Sequence, residues 1–158
     1  ISIGIVTEIN SFYGENTDFD RSYSSEWVQN NIYPMLNFTV HGYKRSALAA
    51  SLWEWFDQFT QQVDIVVDYD KDYKLLNELF GYEKHPKIGK VINIYDLMHR
   101  QAAYESPGAM SKKFKQLFHE YLTENNKRQH HALADAEANM FAFNKICDSF
   151  KVGKFTEI

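Results

Sequence analysis

Twice in this chain an apolar, β-branched run passes straight into a helical pattern, and that repeat limits the possible folds more than any other feature. Val63-Asp64-Ile65-Val66-Val67-Asp68 reads as a buried strand. Tyr73, Leu75, Leu76, Leu79 and Phe80 supply the apolar contacts of the helix after it, with Gly81 as its stop. Lys90 to Tyr95, with Val91-Ile92-Asn93-Ile94-Tyr95 at its centre, repeats the arrangement, and Asp96 opens a helix through about Ala103. Ahead of both units, Ile1 to Val6 and Ser11-Phe12-Tyr13-Gly14 flank a polar turn at Glu8 to Asn10 and form a hairpin. A hairpin followed by alternating helices and strands predicts an α/β fold, a mixed β-sheet with α-helices packed against it.

The other segments fit one domain. Ser25 to Tyr33 reads as a short helix, with Ser24 or Ser25 as cap and Pro34 beyond its end. From Ser46 to Gln62, the spacing of Leu48, Leu52, Trp55, Phe56 and Phe59 predicts an amphipathic helix. Glu105-Ser106-Pro107-Gly108 is the strongest loop signal. Ser111 to Leu122 is predicted helical, Asn125 to Gln129 a polar turn, and His131 to Phe150 the last long helix. With 158 residues, 44% of them apolar and 16% aromatic, the chain can bury a sizeable core. It contains neither an apolar run of roughly 18 residues nor a secretory signal, so a soluble, cytoplasmic protein without membrane contact is expected. The lone Cys147 reads as an ordinary buried thiol. A net charge of −4 argues against binding long duplexes by phosphate neutralisation alone. It is compatible with a carboxylate site that accepts phosphate once divalent cations fill it.

Two stretches carry chemistry. His130-His131-Ala132-Leu133-Ala134-Asp135-Ala136 has the pattern His-x-Ala-x-x-Asp-Ala at the head of a helix. Positions five apart lie about 140° around the axis, so the histidine and the aspartate can address one pocket from different heights. A neutral imidazole is the usual base near neutral pH, and a carboxylate is a hard ligand for Mg²⁺ or Mn²⁺, which together point to metal-assisted hydrolysis. The plain alternative is a good helix former that begins with histidines. Asp68-Tyr69-Asp70-Lys71-Asp72 puts three carboxylates in five residues at a strand-to-helix junction, where open α/β sheets gather functional groups. Its plain alternative is a solvated acidic first turn.

His41, His85, His99 and His119 lack metal-ligand spacing and read as solvated or local hydrogen-bonding groups. His131 is expected to point away from its neighbour. Lys112, Lys113 and Lys115 read as a solvated helix face, and Phe12 and Tyr13 as ordinary strand residues.

The order of these parts resembles the DnaQ-like (DEDDh-type) 3′–5′ exonucleases. The resemblance is closest to the small bacterial and phage branch related to ribonuclease T, in which a strand of the type Ile-Ser-Ile-Gly follows the first acidic motif. It implies a ribonuclease H-like mixed sheet flanked by helices, two divalent cations (Mg²⁺ or Mn²⁺) held by four acidic residues, and a histidine base. It further implies a single-stranded RNA or DNA 3′ end as substrate, a nucleoside 5′-monophosphate as product, and a homodimer in many members. By that pattern His130 matches the base and Asp135 the last metal ligand. Asp72, followed by Leu75 and Leu76 at the family's core positions, matches the middle ligand, with Asp68 in reserve.

The family's first motif, Asp-x-Glu on a strand ahead of Ile1-Ser2-Ile3-Gly4, does not occur, and Glu8 lies in the turn after that strand. The sequence therefore reads as a single exonuclease-like domain, residues 1–158, entered after its first strand, in keeping with its start on isoleucine. The expected activity is metal-dependent 3′–5′ exonuclease action, on RNA more than DNA. The alternative is a degenerate nucleotide- or nucleic-acid-binding module of the same fold. A serine hydrolase ranks last, since no Gly-x-Ser-x-Gly elbow is present.

Overall fold

A computed structural model describes residues 2–96 and 107–153. Strands β1 (Ser2–Val6) and β2 (Ser11–Asn16) pair antiparallel, with Ile3 opposite Gly14 and Ile5 opposite Phe12. Thr7 closes the turn between them: its N–H and hydroxyl both donate to the Asn10 carbonyl, at 2.8 and 2.9 Å. Ser25 caps helix α1 (Glu26–Asn31), its hydroxyl accepting from the Val28 N–H. A 3₁₀ turn (Tyr33–Met35), the short helix α2 (Phe38–His41) and β3 (Gly42–Tyr43), parallel to β2, lead into α3 (Arg45–Asp57).

Helix α3 stops before the predicted Gln62. Phe59, outside the helix, still packs on the core beneath it.

The first strand-to-helix unit is present, and of the second the strand and the first helical residues are described. β4 (Val63–Val67) leads into α4 (Asp70–Leu79), and β5 (Ile88–Asn93), parallel to β4, leads into a helical segment at residues 94–96. This segment starts before Asp96 because the Asn93 side chain accepts from the Tyr95 N–H at 2.9 Å. Its expected continuation to Ala103 lies outside the described residues, as do His99, Glu105 and Ser106. Pro107 and Gly108 open helix α5 (Pro107–Glu124), where a loop was expected. Proline suits a first turn, whose N–H groups have no helical partner to lose. Helix α6 (Ala132–Gly153) is the long terminal helix.

Three buried clusters organise these elements. Leu52, Trp55, Phe56, Leu76 and Ile88 join α3, α4 and β5, with Ile3, Ile5, Val63 and Ile65 against them. Ile94, Met110, Phe114, Ala142 and Ile146 join α5 and α6. Leu122, Ala134 and Ala138 extend that contact toward the head of α6. Ala134, Ala138, Ala142 and Ile146 recur every four residues, so one small-residue stripe of α6 lies against α5. No helix among the described residues is long and apolar enough to cross a membrane.

Several expectations need correction. Among the described residues the strands form two sheets, β1-β2-β3 and β4-β5, rather than one. β4 is not a buried strand: its residues alternate between half-buried and exposed, and Val66 is 44% exposed. Leu75 is 60% exposed and only Leu76 of the pair enters the core, because a helix of this length turns one narrow stripe inward. His85 is fully buried among Trp53, Phe56 and Phe80. Its Nδ1 accepts from the Lys87 N–H, while its Nε2 lies 3.3 Å from Asp57 without forming a hydrogen bond among the described residues. Cys147 is half-buried.

Candidate active site

The site is built at the carboxyl end of β4 and the head of α6. Strand β4 ends at Val67, so Asp68 follows the last paired residue and Asp72 falls in the first turn of α4, its N–H donating to the Tyr69 carbonyl at 2.9 Å. Asp70 accepts from the Asn93 side chain at 2.9 Å, tying the start of α4 to the end of β5. That bond gives Asp70 a local structural duty and leaves Asp68 and Asp72 as the pair that face one another.

Their electrostatics are those of crowded like charges. Although Asp72 as a residue keeps solvent access, protein around its carboxyl, the charge of Asp68 and a hydrogen bond between the two side chains push it up to about 6. Asp135, half-buried in the first turn of α6, is likewise raised to about 6. Burial is the main cause, with Asp68 adding to it, and the N–H and imidazole of His130 oppose both. The Tyr95 hydroxyl is raised by burial and again by Asp68. Asp68, the reserve ligand of the sequence reading, is therefore the charge that raises the pKa values of Asp72, Asp135 and Tyr95 alike.

His130 lies just outside α6 with φ +70°, a left-handed conformation unusual for a residue other than glycine. That backbone aims its N–H at both carboxylate oxygens of Asp135, at 3.1 and 3.0 Å. Its imidazole is exposed and meets the Trp27 ring edge-on, with centroids 5.2 Å apart. Trp27 is itself 51% exposed. It lies in the short helix expected from Ser25 to Tyr33, with nothing in the sequence to mark it as a wall of the site.

His131 points elsewhere, as expected. Its Nδ1 accepts from the Ala134 N–H and its carbonyl from the Asp135 N–H, so it caps α6. Its ring stacks on Tyr13 at 4.7 Å, and burial holds its pKa below the usual imidazole value.

Beneath this stack lies a group the sequence did not disclose. Glu15 is fully buried, and its Oε1 accepts from the Tyr13 hydroxyl at 2.7 Å and from the Asn37 N–H at 2.9 Å. The strand period offered a signal, since residues 13 and 15 share one face of β2.

Among the described residues, no three His, Cys, Asp or Glu side chains are already drawn together tightly enough to enclose an ion. The donor set nevertheless suits one. Asp68, Asp72 and Asp135 offer only carboxylate oxygens, which hard divalent cations prefer. Two of them have pKa values raised toward neutrality, the state of a carboxylate group short of positive charge. Lys112, Lys113 and Lys115 are exposed on α5, as expected. Comparison of the chain with known protein families and with curated proteins finds no match in either.

Proposed function

We propose that the protein is a metal-dependent 3′–5′ exonuclease that hydrolyses phosphodiester bonds at the end of RNA or short single strands and releases nucleoside 5′-monophosphates. The observation that carries this reading is the electrostatic convergence of Asp68, Asp72 and Asp135, drawn from elements far apart in sequence, beside an exposed His130. Two divalent cations, when bound, supply the polarisation of the phosphodiester and of the attacking water. Asp68, Asp72 and Asp135 are the residues that would hold them. The His130 imidazole takes the proton of the attacking water, and its N–H keeps Asp135 aimed.

The open strand edges support the ribonuclease H-like part of the reading. Among the described residues β1 pairs only with β2 and β4 only with β5, yet both β1 and β4 border the same core. A ribonuclease H-like mixed sheet would need one more strand between these two edges.

The test is release of 5′-monophosphates from an end-labelled single strand with Mn²⁺, with Mg²⁺ and with EDTA, alongside the intact mass of the polypeptide used. Metal-dependent, 3′-directed release that Asp135→Asn and His130→Ala both reduce is the expected result. Tight binding of the strand with no release in either metal overturns it in favour of a binding module.

A further inference from the structure

Behind His131, on the side of α6 away from the carboxylates, lies a cavity of about 370 Å³. Three separate segments wall it: the 3₁₀ turn through Met35, the polar turn through Lys127 and Arg128, and the first two turns of α6 through Leu133 and Glu137. Its size is near the lower end for small-molecule sites, about 300–1,000 Å³, and suits a single nucleoside rather than a folded partner.

The lining has two characters. Met35 and Leu133 form an apolar floor, and the His131 ring at the wall is fixed by its stack on Tyr13 and its bond to the Ala134 N–H. One turn along α6 from Leu133, the Glu137 carboxylate forms an ion pair with the Lys127 ammonium that also receives the Tyr121 hydroxyl. A flat ring can lie on the first surface while its hydrogen-bonding edge meets a donor and an acceptor side by side. Arg128 stands exposed at the rim, with no ion-pair partner among the described residues.

We propose that this cavity is a nucleoside subsite, taking one base of a single-stranded nucleic acid while Arg128 meets the adjoining phosphate. The inference rests on the exonuclease reading for its choice of ligand and deepens it. Leu133 and Glu137 present the cavity face of the same two turns whose other face presents Asp135, so a strand with a base in the cavity runs across the head of α6 toward the carboxylates.

The experiment is binding of a fluorescein-labelled heptanucleotide in EDTA, where nothing is cleaved, to wild type, Arg128→Ala, Arg128→Lys and Met35→Trp, each checked for an unchanged thermal melt. A matching strand with abasic positions is titrated in parallel. Arg128→Ala is expected to weaken binding about tenfold with Arg128→Lys partly restoring it, because Lys keeps the charge without the fork. Met35→Trp and the abasic strand are expected to lose about as much. If the abasic strand binds like the intact one, or if Arg128→Ala and Met35→Trp both stay within about twofold of wild type, the subsite is wrong. If wild type does not bind the strand at all, the subsite is equally wrong.

Hydrolysis of bis(p-nitrophenyl) phosphate by wild type with Mn²⁺, a diester with no nucleoside, tests the exonuclease reading separately. Base-dependent binding without that hydrolysis leaves the subsite standing and removes the exonuclease.

Discussion

At the scale of single residues the site works against its own stability. Asp72 and Asp135 have pKa values of about 6 against an ordinary 3.8, so the folded chain holds these protons more tightly than the unfolded one. The stability they contribute is fully present below about pH 3.8 and is lost as pH rises through about 6. Mn²⁺ is therefore expected to raise the melting temperature clearly at pH 7.5 and little at pH 5, which calorimetry at the two pH values checks. Asp68→Asn removes the shared charge, and after allowance for solvent screening should gain on the order of 1 kcal/mol at pH 7.5 while turnover is lost.

His130 gives a second contrast. His130→Gly and His130→Ala both remove the imidazole and should cut turnover by about 10²–10⁴-fold. Only glycine adopts φ +70° freely, so His130→Gly should melt from urea later than His130→Ala by about 1 kcal/mol. His130, Asp135 and the acidic run were legible because their spacing in one segment carries the pattern. The central position of Asp68 was not, because its influence on Asp135 depends on how the fold brings together segments far apart in sequence. Glu15 escaped notice because its partners, Tyr13 and Asn37, come from a strand face and a distant loop.

At the scale of elements, the approach of α6 to β1 decides whether the site exists. A Cβ at Gly4 would overlap the backbone of Ala132 and Leu133, so the first turn of α6 rests directly on the strand. Gly4→Ala should then cost at least about 1–3 kcal/mol by urea denaturation, and activity should fall further than stability alone explains. Asp135 and the His130 N–H move with the displaced turn. The hairpin, the Ser25 cap, the first strand-to-helix unit and the terminal helix were legible from period and capping chemistry, which act within a few residues. The burial of β4 was not, since an apolar β-branched run reads the same whether its neighbours cover one side or both. Pro107-Gly108 misled for a related reason: the same pair serves a turn or a helix's first turn.

At the scale of the whole molecule, two sheets share one core while β1 and β4 each leave an edge without a partner among the described residues. Amides on those edges should exchange with deuterium far faster than those in the middle of α3 and α6, measured residue by residue at pH 7. Equal protection would mean that the edges are covered in solution. The one-sheet expectation failed because pairing is a relation between strands, and hydrophobic period reports only what each strand does alone.

Of the three tryptophans, Trp55 is buried at 6% exposure, Trp53 is half-buried, and Trp27 is open to solvent against the His130 ring. The molecule thus carries its own optical probe where catalysis is proposed. Iodide should quench chiefly the red edge of its emission, and whatever occupies the neighbourhood of His130 should shield that fraction, so occupancy can be followed without attaching a dye.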